Sequence, residues 1–420
     1  MAGKVKAAGK GPVKKSTSLA RALGALQQTK AKAIFEEAFV STDENKIMQS
    51  LPHLPTGSII VDYLIGGRPN RHGVMPCPGF PKGKVVNLYG QEAAGKTTLA
   101  LTVAANAAAA GLATGYIDWE HSLVLSYARA LGVPEDEDLF RLVQPVSLEA
   151  GLCILLAMAR TGVDLIVVDS VGAGVPEAAL REELQDKGGM GRVGLLAGIW
   201  SRFLPELKSP IARSGSCVVG ISQLRSKIST GGPKGKSQGP TTTHQGGEAW
   251  KYYSEVRLGL RKVKVEKAMV YNPILNKKEE AAVNTVVRAK IDKCKVAASQ
   301  GREADYYLVF GEGIDDMRSI VEIGARHGVV KKTGGWIAWE RASGEVLKSQ
   351  GIGEFKKLLK EQDGAWSELY DRILSVMSSA VVAGAGALVP EGEEEDLEDL
   401  STFIAASTTE EAEPKGDDEE

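Results

Sequence analysis

The sequence predicts an α/β fold with a mostly parallel central sheet. Short apolar runs of strand type alternate with helical stretches from Leu51 to about Tyr306, the pattern of a parallel sheet covered by helices. The runs are VVNLY, TGYID, FRLVQ, DLIVVD and CVVGIS. After Gly220 the pattern changes, because residues 255–265 and 284–296 alternate apolar and basic side chains as half-exposed antiparallel strands do.

A phosphate-binding loop follows the first of these strands. Residues 90–98 read GQEAAGKTT and fit G-x-x-x-x-G-K-[ST], between an apolar run and an Ala-rich helix. In such a loop backbone N–H groups surround the phosphates, Lys96 neutralises the β- and γ-phosphates, and Thr97 holds Mg²⁺. The sequence therefore predicts binding of a nucleoside triphosphate with Mg²⁺. The candidate residues are Gly90, Gln91, Glu92, Ala93, Ala94, Gly95, Lys96, Thr97 and Thr98.

Polar residues end three more of these runs, at the edge where ligands bind in open α/β sheets. Glu120 is a candidate base that orients water on the γ-phosphate, and a helix-capping acid is the alternative. By the period of two along a strand, Asp118 and Glu120 are expected on one face. Asp169 ends DLIVVD in the Walker-B pattern, in which the acid holds the Mg²⁺ shell. Gln223 is placed to carry the presence of the γ-phosphate into the next loop, unless it is a plain surface amide.

That next loop, residues 225–247, is rich in Gly, Thr and Lys and has no apolar anchors. Loops this long inside a domain are usually functional or disordered. It offers cations and backbone N–H groups to phosphates without preference for sequence, and a flexible linker is the alternative. Its candidate cations are Arg225, Lys227, Lys234 and Lys236.

Two lysines are expected to extend a buried face. Val287, Ala289 and Ile291 alternate along one strand, and Lys293 and Lys295 continue the alternation. Lysines in such a position need an anion. The sequence leaves two anions open, a carboxylate of the same chain and a phosphate presented by an adjacent subunit.

Bulk composition favours a soluble globular chain of roughly two or three domains, with 420 residues, 43% hydrophobic and 25% charged. No apolar stretch approaches the roughly 20 residues of a membrane span, which excludes a membrane partner. The four cysteines are scattered without a C-x-x-C pair, so reduced thiols in a cytoplasm are favoured over a disulfide frame or a zinc site.

Charge is distributed unevenly along the chain. Residues 391–420 hold 14 acids and one lysine, a charge of −13, which leaves +11 on residues 1–390 of a chain whose net charge is −2. A basic body with an acidic tail indicates a polyanionic partner and a competitor for it. A tail that only aids solubility is the alternative.

Five segments are expected. Residues 1–17 form a disordered basic arm, and residues 18–50 an N-terminal helix that packs on its own core or on a neighbouring subunit. Residues 51–306 form the core, residues 307–385 a small α/β C-terminal domain, and residues 386–420 an acidic disordered tail.

Taken together, these residues resemble the RecA family of recombinases over roughly residues 50–366. The resemblance implies a RecA-type core, an N-terminal polymerisation helix, ATP and Mg²⁺ as cofactors, and helical self-assembly on single-stranded DNA. It also implies pairing with homologous double-stranded DNA, strand exchange and a role in recombination, repair and the SOS response; single-strand-binding or loader proteins stay open as partners. The resemblance rests on LPTGSIIVDYLIGG, GFPKGKVVNLYGQEAAGKTTL, YIDWEHS, SYARALGV, LIVVDS, ISQLRSK, TTTHQGGEAWKYY, VRLGLRK and LVFGEGI.

Residue by residue, the resemblance implies Glu120 as the hydrolytic base, Asp169 as the metal-side acid and Gln223 as the γ-phosphate sensor. Tyr127 would stack on the adenine, and residues 180–190 would be the first DNA-binding loop. The other implied DNA contacts are Met190, Arg192, Arg225, Lys227, Gly246, Gly247, Arg261, Lys262 and Lys290. The implied interface residues are Lys251 and Tyr252, with Lys293 and Lys295 reaching the neighbour's ATP.

This chain departs from the family pattern at Val124, Ser222 and Leu195, and residues 68–78 are an insertion without an assigned role. These departures fit a diverged member, viral more than central bacterial. Two alternatives remain, a RecA-fold motor such as a hexameric helicase and a non-catalytic accessory paralogue. The former lacks the TTTHQGG and FGEGI blocks, and the intact ATP-site residues argue against the latter.

Overall fold

The computed structural model describes residues 49–69, 74–181, 190–226, 242–244 and 248–382. The chain divides into two units between Gln49 and Ser50, and all the described helices and strands lie in the second. The basic arm, nearly all of the N-terminal helical segment and the acidic tail that the sequence predicts lie outside the described residues.

The described strands lie in three sheets. In chain order they are β1 (His53–Leu54), β2 (Phe80–Pro81), β3 (Val85–Gly90), β4 (Thr114–Asp118), β5 (Phe140–Val143), β6 (Leu165–Asp169), β7 (Cys217–Ser226), β8 (Thr242–His244), β9 (Val256–Asn272), β10 (Lys277–Cys294), β11 (Glu303–Val309), β12 (Gly313–Ile314), β13 (Val330–Thr333), β14 (Trp336–Glu340) and β15 (Val346–Gln350).

The described helices cover these sheets. They are α1 (Ile59–Gly66), α2 (Lys96–Ala109), α3 (Leu125–Ala130), α4 (Leu148–Thr161), α5 (Glu177–Arg181), α6 (Met190–Ser214), α7 (Ala249–Tyr253), α8 (Asp316–Arg326), α9 (Ile352–Glu361) and α10 (Ala365–Val382). Within this part of the chain, none of the helices has both the length and the apolar content that a membrane crossing requires.

The central sheet has ten strands, in the order β12-β11-β10-β9-β3-β7-β6-β4-β5 with β8 beside β7. Strands β5, β4, β6, β7, β3 and β9 pair in parallel, which confirms the predicted fold class. The five apolar runs are β3, β4, β5, β6 and β7. Strands β9, β10, β11 and β12 continue the sheet with antiparallel pairs, as the change of pattern after Gly220 predicts. The sheet extends to Ile314, past residue 306 where the sequence places the core boundary.

Side chains that alternate along the parallel strands contribute to two hydrophobic cores, one on each face of the sheet. On one face Val86 and Leu88 of β3 pack with Leu99 and Val103 of α2. On the other face Val85 of β3 packs with helices α4 and α6. Because both faces are covered, the strands read as continuous apolar runs in the sequence.

Three tryptophans meet in the second core. Trp200 lies between Trp119 and Trp250, with ring centroids 6.0 and 4.9 Å away and the rings edge to face. Trp119 donates to Ser147 O at 3.2 Å, and Trp200 donates to Val171 O at 2.9 Å. The cluster therefore fixes the segments after β4 and β6 and helix α7 relative to one another.

The C-terminal region combines the three-stranded sheet β13-β14-β15 with helices α8, α9 and α10 around a separate core. That core contains Ile320, Trp339, Phe355 and Ile373. Asp315 caps α8 by accepting from Arg318 N, and its other carboxylate oxygen accepts from Lys356 Nζ at 2.7 Å.

Candidate nucleotide-binding site

The phosphate-binding loop connects β3 to α2, as the sequence predicts. A Cβ atom on Gly90 would lie 2.2 Å from Leu260 O, and one on Gly95 would lie 2.4 Å from Leu308 Cδ1. Gly95 also has a φ of +80°, so both ends of the loop require glycine. Helix α2 begins at Lys96, and its first backbone N–H groups face the loop.

Lys96 is buried, and its Nζ donates to Gln91 O at 2.7 Å across the loop. Burial lowers the pKa of Lys96, while the negative charges of Asp169, Glu120 and Glu92 oppose that shift. A phosphate placed in the loop would add negative charge beside this ammonium and stabilise its charged form.

Thr97 and Asp169 come together beneath the loop. Thr97 Oγ1 donates to Asp169 Oδ2 at 2.9 Å, and Tyr116 OH donates to the same oxygen at 2.6 Å. Burial raises the pKa of Asp169, and the two hydrogen bonds lower it. A hydroxyl and a carboxylate are hard oxygen donors, so this pair fits Mg²⁺ bound mainly through phosphates. In the described segments no group of three or more His, Cys, Asp or Glu side chains could hold a metal alone.

Glu120 and Gln223 meet at the same edge of the sheet. Gln223 Nε2 donates to Glu120 Oε1 at 3.3 Å, and Ser170 Oγ donates to that oxygen as well. The pairing of β4 with β6 and of β6 with β7 brings these residues together, because the carboxyl ends of the three strands are adjacent.

Asp118 has a different role from Glu120, and the expected shared face is wrong. Strand β4 ends at Asp118, so the alternation of a strand does not reach Glu120. Asp118 is buried and accepts hydrogen bonds from Glu120 N, Leu123 N and Gln144 Nε2, each at 3.1 Å. It is therefore Asp118 that holds the turn, while Glu120 is exposed at the edge.

Two further polar pairs adjoin the loop. Ser222 Oγ donates to Asn87 Oδ1 at 3.0 Å, and both residues are buried. Tyr127 OH lies 2.8 Å from Thr98 Oγ1, which places that ring beside the start of α2. Val124, one of the departures from the family pattern, is 59% exposed at the start of α3.

Lys293 does not continue the buried face, contrary to the alternation in the sequence. Ile291 pairs with Leu258 and Lys293 with Arg257, so Asp292 is the extra residue of a bulge. Cys294 then packs against the core in place of the lysine. Tyr89 OH donates to Asp292 and holds the bulge against β3.

Among the residues that the structure describes, the Lys293 ammonium donates its hydrogen bonds to backbone carbonyl groups and not to a carboxylate. Its Nζ donates to Lys251 O at 3.0 Å and Tyr252 O at 2.8 Å, at the end of α7. Burial lowers the pKa of Lys293, and the positive charge of Lys295 adds to that shift. The implied interface residues Lys251, Tyr252, Lys293 and Lys295 therefore form one cluster, in which Tyr252 is 68% exposed.

The candidate DNA-contacting residues all follow Asp169 in the sequence, and the described ones belong to α6, β7, β9 and β10. Arg261, Lys262 and Lys290 are exposed on β9 and β10. The backbones of Met190 and Arg192 are in α6, where Leu195 is 39% exposed, and the backbone of Arg225 is in β7. The remaining candidates lie outside the described residues: Lys227, Lys234, Lys236, Gly246 and Gly247.

Sequence reasoning missed Tyr116, Ser170 and Asn87, which contact Asp169, Glu120 and Ser222. A signal for Tyr116 exists, because a tyrosine in a fully buried strand requires a partner for its hydroxyl. Ser170 and Asn87 carry no such signal, because short polar residues near strand ends are common.

Comparison with known proteins bears on this site. A family model described as the RecA N-terminal domain matches residues 21–315. Protein RecA of Thermus thermophilus is 36% identical over 339 residues, covering 80% of this chain and 89% of that protein. Protein RecA of Bifidobacterium breve is 36% identical over 327 residues, covering 78% and 74%. A crystal structure of the RadB recombinase matches with a TM-score of 0.41 and 22% identity, covering 62% of this chain and 98% of that one.

Proposed function

This chain belongs to the RecA family, and we propose that it is a DNA-dependent ATPase that forms helical filaments on single-stranded DNA. In that state it catalyses homologous pairing and strand exchange. Membership of the family supports the broader role in recombination and repair, with ATP and DNA as ligands.

The observation that carries the proposal is the contact of Gln223 with Glu120. Glu120 lies at the edge where the γ-phosphate of a nucleotide in the loop would lie, and Gln223 is near the end of β7. The chain after residue 226 is the Lys-rich segment predicted to contact DNA. Through Gln223, Glu120 is hydrogen-bonded to the strand that leads into that segment. A movement of Glu120 on nucleotide binding or hydrolysis would therefore act directly on that strand.

The residues at this edge of the sheet have separate roles in the proposed ATP hydrolysis. Glu120 orients the attacking water and accepts a proton from it, while Gln223 and Ser170 hold the Glu120 carboxylate by hydrogen bonds. Lys96 and the N-terminus of α2 stabilise negative charge on the phosphates. Thr97 and Asp169 would hold Mg²⁺, which supplies further charge stabilisation when bound.

The Lys293 cluster supplies the link between subunits. Among the described residues, the hydrogen bonds of Lys293 go to backbone carbonyls, and those neutral partners can be exchanged for a stronger anion. We propose that Lys293 and Lys295 reach the ATP of the adjacent subunit. Hydrolysis would then require a neighbour, as in a filament.

Steady-state ATP hydrolysis with and without single-stranded DNA tests the proposal. We expect strong stimulation by DNA, and expect Gln223→Ala to lose the stimulation while retaining ATP binding. Gln362→Ala, which changes an amide at the end of α9, serves as the control. Equal turnover of the unmodified protein with and without DNA would contradict the proposal.

Electron microscopy with ATP and single-stranded DNA distinguishes the alternatives. A helical filament is the expected result. Closed rings would indicate a hexameric motor, and monomers without hydrolysis would indicate a non-catalytic paralogue.

A further inference from the structure

The hairpin of β9 and β10 extends well beyond the central sheet. Strand β9 pairs with β3 only as far as Leu260, and β10 pairs with β11 only from Asn284. Residues 267–282, called the outer ribbon below, pair only with each other among the described strands. Six residues in each strand give the ribbon a length of about 20 Å.

The tip of the outer ribbon is held in one conformation by side-chain hydrogen bonds. Asn272 Oδ1 accepts from Ile274 N at 2.9 Å and from Leu275 N at 3.2 Å. Tyr271 OH donates to Asn276 Oδ1 at 2.7 Å, and Asn276 has a φ of +47°. These bonds order the turn, although its apolar side chains are not buried.

The ordered turn presents its apolar side chains to solvent. Ile274 is 90% exposed and Leu275 51%, and Pro273 precedes them; Met269 of the adjoining strand β9 is 61% exposed. Exposed aliphatic side chains on a rigid turn cost free energy in water, and their clustering marks an interaction surface.

Cations accompany these apolar residues, and the nearby carboxylates have partners of their own. Glu280 accepts from Lys267 Nζ at 2.9 Å, and Glu279 accepts from Asn272 Nδ2 at 2.7 Å. Within the described ranges no carboxylate pairs with Lys277 or Lys278, which are exposed and begin β10 directly after the turn.

The carboxylate at the base of the ribbon is also neutralised. Glu266 accepts two hydrogen bonds from the Arg318 guanidinium, at 2.6 and 3.1 Å, which hold the pKa of Glu266 at about 2. Below it, Arg261, Lys262 and Lys290 are exposed. Exposed cations therefore lie both at the base of the hairpin and at its tip.

We propose that the outer ribbon enters the minor groove of double-stranded DNA and that Ile274 and Leu275 insert between base pairs. Lys277 and Lys278 contact the phosphates on either side. Minor-groove proteins kink DNA with apolar wedges of Pro, Ile, Leu and Met, the residue types of this tip. Residues 267–282 hold three lysines and two glutamates, and Lys267 is paired with Glu280, so the exposed Lys277 and Lys278 at the tip favour a polyanion over a protein as the occupant.

The site rests on the proposed function only in that its ligand is DNA. The ATP-site residues Lys96, Glu120 and Asp169 belong to elements other than β9 and β10, which form the ribbon. A change at the tip is therefore expected to spare single-stranded DNA binding and hydrolysis. That separation allows the two proposals to fail independently.

The test uses the full chain with a duplex that carries 2-aminopurine, whose fluorescence rises when a base is unstacked, and end labels that report bending. We expect Ile274→Ser/Leu275→Ser to abolish both signals and weaken duplex affinity about tenfold. The matched control is Val346→Ser, which removes a side chain 59% exposed on β15, and we expect no effect from it. Lys277→Gln/Lys278→Gln should lower the slope of log affinity against log salt by about 2.

Unchanged duplex affinity and unstacking in the tip variant would overturn the proposal. If that variant instead lowers self-association in sedimentation without DNA, the tip is a protein-docking surface and the proposal fails. Unchanged thermal unfolding and unchanged DNA-stimulated hydrolysis in the variant show that the loss is local. A tip-dependent duplex signal without DNA-stimulated hydrolysis would support this site while contradicting the proposed function.

Discussion

Replacing Tyr116 with phenylalanine tests the hydrogen bond that favours the ionised form of the buried Asp169. The ring is fully buried, and its hydroxyl donates to Asp169 Oδ2 at 2.6 Å. A hydrogen bond to a charged group contributes about 1.5–3 kcal/mol. Because this bond favours the ionised form, its loss raises the pKa of Asp169 further. The change removes one oxygen and leaves the packing of the ring in place.

The sign of the effect on activity follows from that shift. Burial already raises the pKa of Asp169, and the bond from Tyr116 is the largest effect that lowers it. In Tyr116→Phe a larger fraction of Asp169 is protonated at a given pH, so the form that can hold Mg²⁺ is lost from the acid side. We expect the acid limb of kcat/KM for ATP hydrolysis to move toward alkaline pH, with activity recovering at high pH.

Tyr306→Phe is the matched control. Tyr306 is also fully buried, and within the described part of the chain its hydroxyl has no hydrogen-bond partner. That hydroxyl lies near the phosphate-binding loop, 3.9 Å from where a Cβ of Gly95 would be. Removing an unpaired buried hydroxyl is expected to leave the acid limb unchanged and to keep or raise the unfolding midpoint. An acid limb that stays in place in folded Tyr116→Phe, or moves equally in both variants, would refute the reasoning.

Three further outcomes are expected. Lys293→Ala should abolish hydrolysis in filaments while ATP binding by the monomer, measured by calorimetry, is retained; loss of monomer binding would place the lysine in its own subunit's site. Gly220→Ala should destabilise the fold, because its Cβ would lie 2.2 Å from the buried Trp250 ring, whereas Gly198→Ala, with open space in α6, should be neutral or stabilising by about 0.5–1 kcal/mol in denaturant unfolding. Burial raises the pKa of Asp62 to about 8, so stability is lost as pH rises from about 4 to 8; Asp62→Asn should match the unmodified protein near pH 4 and exceed it at pH 8, and equal stability at both would contradict this.

The parallel half of the sheet was predictable because burial on both faces leaves continuous apolar runs in the sequence. The alternation of strands and helices also predicts the ligand-binding edge of the sheet. The carboxyl ends of β3, β4, β6 and β7 must lie at the same edge when these strands are parallel. The contacts of Glu120 with Gln223 and of Thr97 with Asp169 agree with that expectation.

The bulge at Asp292 was not predictable from alternation. An extra residue in one strand reverses the facing of every later side chain, and nothing in the residues around Ile291 marks it. The position becomes visible only through its partners, Tyr89 and Arg257, which lie far away in the sequence. Asp118 was misjudged for a related reason, because where a strand ends depends on its neighbours.

The outer ribbon escaped prediction because its composition is ambiguous. Residues 266–283 mix lysine, glutamate and alanine, so neither the period of a strand nor that of a helix dominates. Their pairing is fixed by the turn at Asn272, whose hydrogen bonds to Ile274 and Leu275 are local.

The tryptophan cluster gives the protein an internal optical reporter. Three of its six indoles lie within energy-transfer distance: Trp119 directly precedes Glu120, Trp250 directly precedes Lys251, and Trp200 donates to Val171 O in the segment after Asp169. Their emission is sensitive to ring orientation, so a small rotation of any one segment alters the quantum yield of all three. Nucleotide exchange and subunit contact can therefore be followed in the unlabelled protein by its intrinsic tryptophan fluorescence.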